Sequence, residues 1–438
     1  MRKSPPVEHA ARGAFEHRQM YKSTGTKLLI FKRLNPAQGY YSTGDEKMEE
    51  GLEEILECSC GLDVHKDKIE ACILKTGAKA AYRETFGCIS SELDRLCKWI
   101  NKHGCKDIAM ESTGVYWLPI YERIEAKCPD RQSLLVVNAY EIKNMPGRKT
   151  DIKDAHWIAL LLKRGLLRQH NSFIPEHIVR SMREVSRLRR KITGDRSKAS
   201  NQLEKFLQTH GFKFSSVFSS ITGMSSTALL KRLAQRGKVS LRDIYDCCHK
   251  NLRHVPEEIL AAVNGELNEA ERKLLCFHIK RIEALSDEIS ELTGMLADLF
   301  DEYKEQLNIA ISLPGINLDS AMEVLAEISP EPQASFDTQR KISKWAGLSP
   351  RNDDSADKIT CRKTLHGNPY VKSILVQCAW AAVKTRNSEF QKWFWPRQCR
   401  LGRKKAIIAV ARKLLCLLYT LLSKGVLYSP PVPAPAAV

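Results

Sequence analysis

The chain has 438 residues, with 69 Lys and Arg against 51 Asp and Glu, a formal charge of +18 and a sequence pI near 9.3. An apolar content of 43% and a charged content of 27% exclude a wholly disordered chain, a collagen and a mucin-like stalk. At roughly 100–200 residues per domain the length predicts two to four domains, and the positive surplus points to an anionic polymer as partner, nucleic acid ahead of membrane.

Residues 1–56 are polar and basic, without a secretory signal, and read as a disordered or mis-assigned extension, with Met48 as an alternative start. From Cys60 the pattern is α/β. Residues 60–74 predict a strand, a tight turn and a second strand, and Tyr82–Phe86 a third. Ser90 or Ser91 caps a helix with Leu93, Leu96 and Ile100 on one face. Asp107–Met110 is a short buried strand, Val115–Lys127 a helix and Leu134–Asn138 another strand, which together imply a mixed sheet with helices packed on it. Asp151 to Gly165 is a helix with Ala155, Ile158, Ala159 and Leu162 inward.

Residues 176–210 form a long basic helix, and residues 211–265 carry no clear pattern. Leu275, His278, Ile282, Leu285, Ile289, Leu292, Leu296, Leu299 and Tyr303 then alternate in steps of three and four, the spacing of a coiled coil that could form within the chain or between copies. Past Pro314, Asp319–Ile328, 369–386 and 404–422 are helices, and Pro430–Val438 is a disordered tail. The apolar run Ala406–Leu422 carries Arg412 and Lys413 at its centre, so it reads as a buried amphipathic helix and not a membrane span. Fourteen cysteines without zinc-finger spacing, several inside apolar segments, suggest a reducing cytoplasm and no structural zinc.

Four acids stand out. Asp63 lies on the first strand, Glu111 follows the strand 107–110, and Asp151 and Asp154 open a helix on one face. Singly, each has a bland explanation as a helix cap or a strand-end charge. Together they fit a site for two magnesium or manganese ions, because converging like charges require neutralisation and hard oxygen ligands select these metals. Such ions, about 3.5–4 Å apart, clamp the attacking and leaving oxygens of a phosphodiester displacement, the arrangement of an RNase H or RuvC-like fold.

Residues 61–74 (GLDVHKDKIEACIL), 110–117 (MESTGVYW) and 146–167 resemble the DEDD transposases of bacterial insertion sequences, the IS110 family with its IS-eleven-eleven subgroup. Residues 313–328, 344–350, 351–382 and 402–415 resemble the C-terminal transposase domain of the same family, so the likeness runs from about residue 60 to 428. It implies a RuvC-like catalytic domain over 57–170, a basic and coiled-coil region over 171–305 and a helical transposase domain over 306–428.

The resemblance makes Asp63, Glu111, Asp151 and Asp154 the metal ligands and Ser355 the nucleophile that forms a phosphoserine link to DNA. It also makes Lys358, Lys363, Asn368 and Lys372 candidate nucleic-acid contacts. This chain departs from the family in Asp357, in Val371-Lys372 for Leu-Arg, in Ala139 for Pro, and in Asn317, which stands in a turn where Gly is usual and where Asn tolerates a left-handed backbone.

Arg148, Lys149 and Lys153 flank the acidic pair and could hold a phosphate. Arg183, Arg187, Arg189, Arg190 and Lys191 belong to a run of eight cations between Arg180 and Lys198, opposed locally by Glu184 and Asp195 alone, which offers one charged helix to a nucleic-acid backbone. The resemblance further implies a structured guide RNA, the bridge RNA, and dimers or tetramers built through the heptad segment, with the acids of one subunit meeting Ser355 of another. Two other readings stay open: a metal-dependent junction nuclease with Ser355 as bystander, and an inactive nucleic-acid binder.

Overall fold

The computed structural model describes residues 54–139, 142, 154–167, 172–248, 253–350, 353–355, 358–361, 364 and 366–430. The readings made for residues 1–53 and 431–438, and for Arg148, Lys149, Asp151, Lys153, Asp357 and Lys363, lie outside them. The chain divides into two compact units, one ending at His170 and the other beginning at Asn171.

In the first unit, β1 (Cys58–Val64), β2 (Lys68–Lys75) and β3 (Tyr82–Gly87) form an antiparallel meander. Helix α1 (Ser90–Lys102), β4 (Asp107–Glu111), α2 (Trp117–Lys127) and β5 (Ser133–Val137) follow. Strand β4 pairs parallel with both β1 and β5, giving the order β3-β2-β1-β4-β5, a mixed sheet consistent with an RNase H-like domain. Alternation divides the strands by face. Cys60, Leu62 and Val64 are fully buried on one side, where Phe86 of β3 meets Trp99 of α1 at 5.6 Å between ring centroids. On the other side α3 (Asp154–Lys163) packs Ile158, Leu161 and Leu162 against Ala109, Leu135 and Val137.

The second unit is mostly helical. Helix α4 (His177–Thr209) lies along α8 (Glu269–Leu299), with α5 (Met224–Arg236), α6 (Leu241–Cys247) and α7 (Pro256–Ala262) between them in sequence. Leu203 and Leu207 of α4, Leu229 and Leu233 of α5, and Leu275, Ile279 and Ile282 of α8 share one core. The apolar stripe over 275–303 is thus spent within the chain: Leu275, Ile282, Leu292 and Leu296 are buried, α8 ends at Leu299, and Tyr303 falls in a 3-10 turn. His278, Leu285, Ile289 and Leu299 of the same stripe are half-buried.

A second core gathers α9 (Lys304–Ile311), α10 (Leu318–Ile328), α11 (Gln339–Trp345), α12 (Pro369–Lys384), α13 (Glu389–Leu401) and α14 (Arg403–Lys424). Helix α14 is long and apolar enough to cross a membrane by length and composition, but Val410, Ala411, Leu414, Leu415 and Leu418 are all buried in this core. Asn317 is not left-handed. Its φ of −99° is extended, and its side chain caps α10 by accepting from the Ser320 amide at 3.0 Å. The left-handed residue of that turn is Gly315 (φ 87°), where a Cβ would lie 2.4 Å from the Cys378 carbonyl oxygen of α12. Strands β6 (Asp353–Ser355) and β7 (Lys358–Cys361) pair antiparallel.

Candidate carboxylate site and basic helix

Ser59, Gly61 and Asp63 alternate on the face of β1 that meets α3, and each makes a different use of it. The Ser59 hydroxyl donates to the Ala159 carbonyl of α3 at 2.9 Å. At Gly61 the two backbones touch: a Cβ there would lie 2.2 Å from the Ala155 oxygen and 2.4 Å from the Ala159 nitrogen. Asp63, one turn of pleat further, therefore stands beside the first residue of α3, Asp154. Strands β1 and β4 run parallel with Leu62 opposite Met110, which brings Glu111 alongside Asp63 at the carboxyl ends of both strands.

Asp63 is 7% exposed, and burial raises the pKa of its carboxylate. The His65 imidazole, whose Nε2 lies 3.0 Å from Asp63 Oδ2, works against that rise, while the charges of Asp154 and Glu111 add to it. Glu111 is half-buried and accepts from the Thr113 hydroxyl at 2.9 Å, and Asp154 is exposed. Asp154 and Glu111 thus both act on Asp63 through space. Among the described residues no three His, Cys, Asp or Glu side chains stand close enough to share an ion, and Asp151 is outside them. The donor set nevertheless suits a hard divalent cation: all oxygen, with mutual repulsion that a positive ion relieves. Sequence reasoning missed His65, which follows the end of β1 two residues beyond Asp63.

In the second unit, Ser355 ends β6 with its backbone paired to Lys358 of β7. Asn368, expected as a nucleic-acid contact, caps α12: its Oδ1 accepts from the Tyr370 and Val371 amides and its Nδ2 donates to Glu327 Oε2 at 2.6 Å. Lys372 donates to the Thr364 hydroxyl at 3.0 Å.

The basic run of α4 is divided. Arg187 makes a forked pair with Glu327 (Nε 2.7 Å, NH2 2.9 Å), a carboxylate only 1% exposed. Arg183 donates to the carbonyls of Ala326 and Glu327 at the end of α10, and burial lowers its pKa. Arg189 reaches Glu323 at 2.6 Å and Asp319 at 3.0 Å. Arg190 donates to the Tyr370 carbonyl at 3.1 Å, and Lys191 is exposed. The acids that balance this helix sit 130–144 residues away in sequence, so a count of local acids could not find them.

A five-stranded RNase H-like sheet with acids gathered at the carboxyl ends of two parallel strands, followed by a helical unit, defines the class. The family models agree: residues 60–212 match the model of the DEDD transposases of the IS110 group, and residues 307–394 match the Transposase IS116/IS110/IS902 family. Both matches name the same family of transposases, and together they span more than half of the chain. The chain is also similar to "Putative transposase y4rJ" of Sinorhizobium fredii (strain NBRC 101917 / NGR234), with 26% identity over 258 residues. That alignment covers 56% of this chain and 58% of the relative's length.

Proposed function

We propose that the chain is a DNA-acting transposase of the IS110 family that cuts and rejoins strands of an insertion sequence. The observation that carries the reading is the placement of Asp63, Glu111 and Asp154 at the same end of an RNase H-like sheet, in a chain whose residues 60–212 and 307–394 match two domain models of one transposase family. Asp63, Glu111, Asp154 and, with them, Asp151 would hold magnesium or manganese. When bound, the metal supplies charge stabilisation to a phosphodiester in displacement. His65 orients the Asp63 carboxylate through their 3.0 Å contact.

Ser355 is the proposed nucleophile. Its hydroxyl oxygen attacks phosphorus, a P–O bond to the DNA breaks as the P–Oγ bond forms, the leaving oxygen takes up a proton, and the bond energy is kept for rejoining. The guide RNA enters this proposal from the resemblance, and RNA sequenced after co-purification tests it.

The test of the serine step is a trapped protein–DNA adduct. Wild-type protein with magnesium gives a covalent adduct, and Ser355→Ala gives neither adduct nor joined product. An adduct that survives Ser355→Ala overturns the nucleophile. Cleavage that persists in Ser355→Ala without any adduct, and is lost in Asp154→Ala, points instead to a junction nuclease that uses water.

A further inference from the structure

The division of the α4 cations leaves a residue. Arg183, Arg187 and Arg189 are tied to α10, but Lys191 is exposed and the Lys198 side chain is 75% exposed. These two lysines lie on one face of α4, seven residues and about 10 Å apart along the axis. They edge a groove of about 550 Å³ whose wall is Tyr370 of α12. Arg187 and Arg190 hold the Tyr370 ring, with their guanidinium carbons 4.4 and 5.4 Å from its centroid. The acid in the groove is Asp195, which accepts from Lys198 at 2.9 Å. An exposed pair of that kind contributes little and exchanges readily for a phosphate.

Gly194 lies between the two lysines, in the middle of a 33-residue helix. A glycine there weakens the helix relative to alanine, and a Cβ at Gly194 would meet nothing within 4 Å, so no packing within the chain demands it. Gly294 of α8 is equally open, but it is flanked by the exposed acids Glu291 and Asp298, the wrong sign for an anion. Among the described residues, only at Gly194 does bare helix backbone coincide with exposed cations and an anchored aromatic wall.

We propose that this groove seats a phosphodiester backbone, with Lys191 and Lys198 each taking a phosphate and Gly194 letting the strand lie against the helix. The proposal deepens the transposase reading by locating one seat for its nucleic acid, and it assigns Arg183, Arg187 and Arg189 to holding the groove's frame.

The test uses the full chain and two fluorescein-labelled probes of equal length, a DNA duplex and a single-stranded RNA, titrated by anisotropy over a range of salt. Removing two phosphate contacts with Lys191→Gln/Lys198→Gln flattens the slope of log K against log salt by about 1.8 on the duplex or about 1.4 on the single strand. The probe that shows the change identifies the source of the backbone. Lys273→Gln/Lys280→Gln, the same loss of charge on α8, keeps the wild-type slope. Gly194→Leu raises the unfolding temperature, since leucine is the better helix former, while it weakens binding by filling the groove floor. An unchanged slope on both probes, an equal change in the α8 variant, or wild-type affinity in Gly194→Leu overturns the groove and leaves the transposase reading standing. Failure of the wild-type chain to bind either probe removes both.

Discussion

Gly61 and Ala155 are in backbone contact: a Cβ on Gly61 would sit 2.2 Å from the Ala155 carbonyl oxygen. This closeness is what carries Asp154 to Asp63, because α3 can lie that near β1 only where no side chain intervenes. Gly61→Ala is therefore expected to push the helix off the strand, with a loss of about 1–3 kcal/mol from overpacking. Thermal unfolding of the variant would show the loss, and magnesium titration by calorimetry would show weakened binding even though every carboxylate remains. A variant with wild-type stability and wild-type magnesium affinity would mean that the contact does not assemble the site.

Asp63 is set against the stability of its own fold. Its pKa is raised, first by burial and then by the Asp154 and Glu111 charges, so the ionised form is disfavoured in the folded state. The sign follows: as pH rises above about 3.9, the value for an unperturbed Asp, the unfolded chain gives up its proton more readily, and the folded state is penalised through the range up to the folded pKa and beyond. Asp63→Asn is thus expected to unfold at a higher temperature than wild type at neutral pH without metal, and to lose DNA cleavage. Magnesium should raise the wild-type melting temperature by mass action and leave that of the variant nearly unmoved. A destabilised Asp63→Asn in metal-free buffer would contradict the proposed repulsion.

The first unit was largely legible because its signals are local. Alternating apolar residues marked β1, β2 and β4 within a few residues of their true ends, and the 3.6-residue period of Ala155, Ile158, Ala159 and Leu162 marked α3. Asp63 and Glu111 stood out because a carboxylate on or at the end of an apolar strand is unusual, and Asp154 because it shares a helix-start face with Asp151. What the sequence hid was set by distant partners. The arginines of α4 looked like a bare charged face because Glu327, Glu323 and Asp319 come from a helix far along the chain. The heptad stripe of α8 had the right period but no mark saying that α4 would be its partner. Asn317 was read from turn propensity, whereas a helix start recruited it as a cap.

Glu327 ties three elements at one buried carboxylate: Arg187 of α4, its own helix α10, and Asn368 at the start of α12, with the Arg183 guanidinium 3.7 Å away. Glu327→Ala leaves Arg187 and Asn368 without their carboxylate acceptor, while Arg183 keeps the backbone carbonyls of Ala326 and Glu327. Arg187 is 39% exposed along its side chain and can rehydrate, so the loss falls below that of a fully buried pair, at about 2–3 kcal/mol. Denaturant unfolding would measure it. Arg187→Met in the Glu327→Ala background should add little, because the interaction is already gone, and fully additive losses would show that the two residues are not coupled.

A separate acid transition is expected from Asp243. The carboxylate is buried at the start of α6, where burial alone would raise its pKa. The Ser240 hydroxyl at 2.6 Å, the Ser240 amide at 3.0 Å and the positive charges of Arg236 and Arg232 outweigh burial and hold the pKa below the ordinary Asp range. A folded pKa lowered in this way contributes stability that is complete above the unfolded value of about 3.9 and is lost as pH falls through the folded value. Asp243→Asn should therefore melt lower than wild type at neutral pH. The gap should close as the pH drops below about 4, because protonation leaves the wild-type carboxyl as neutral as the amide. Melting curves recorded from neutral pH into that range would reveal the convergence. Two curves that stay parallel throughout would show that the Ser240 cap and Arg236 do not favour the ionised form over the neutral one.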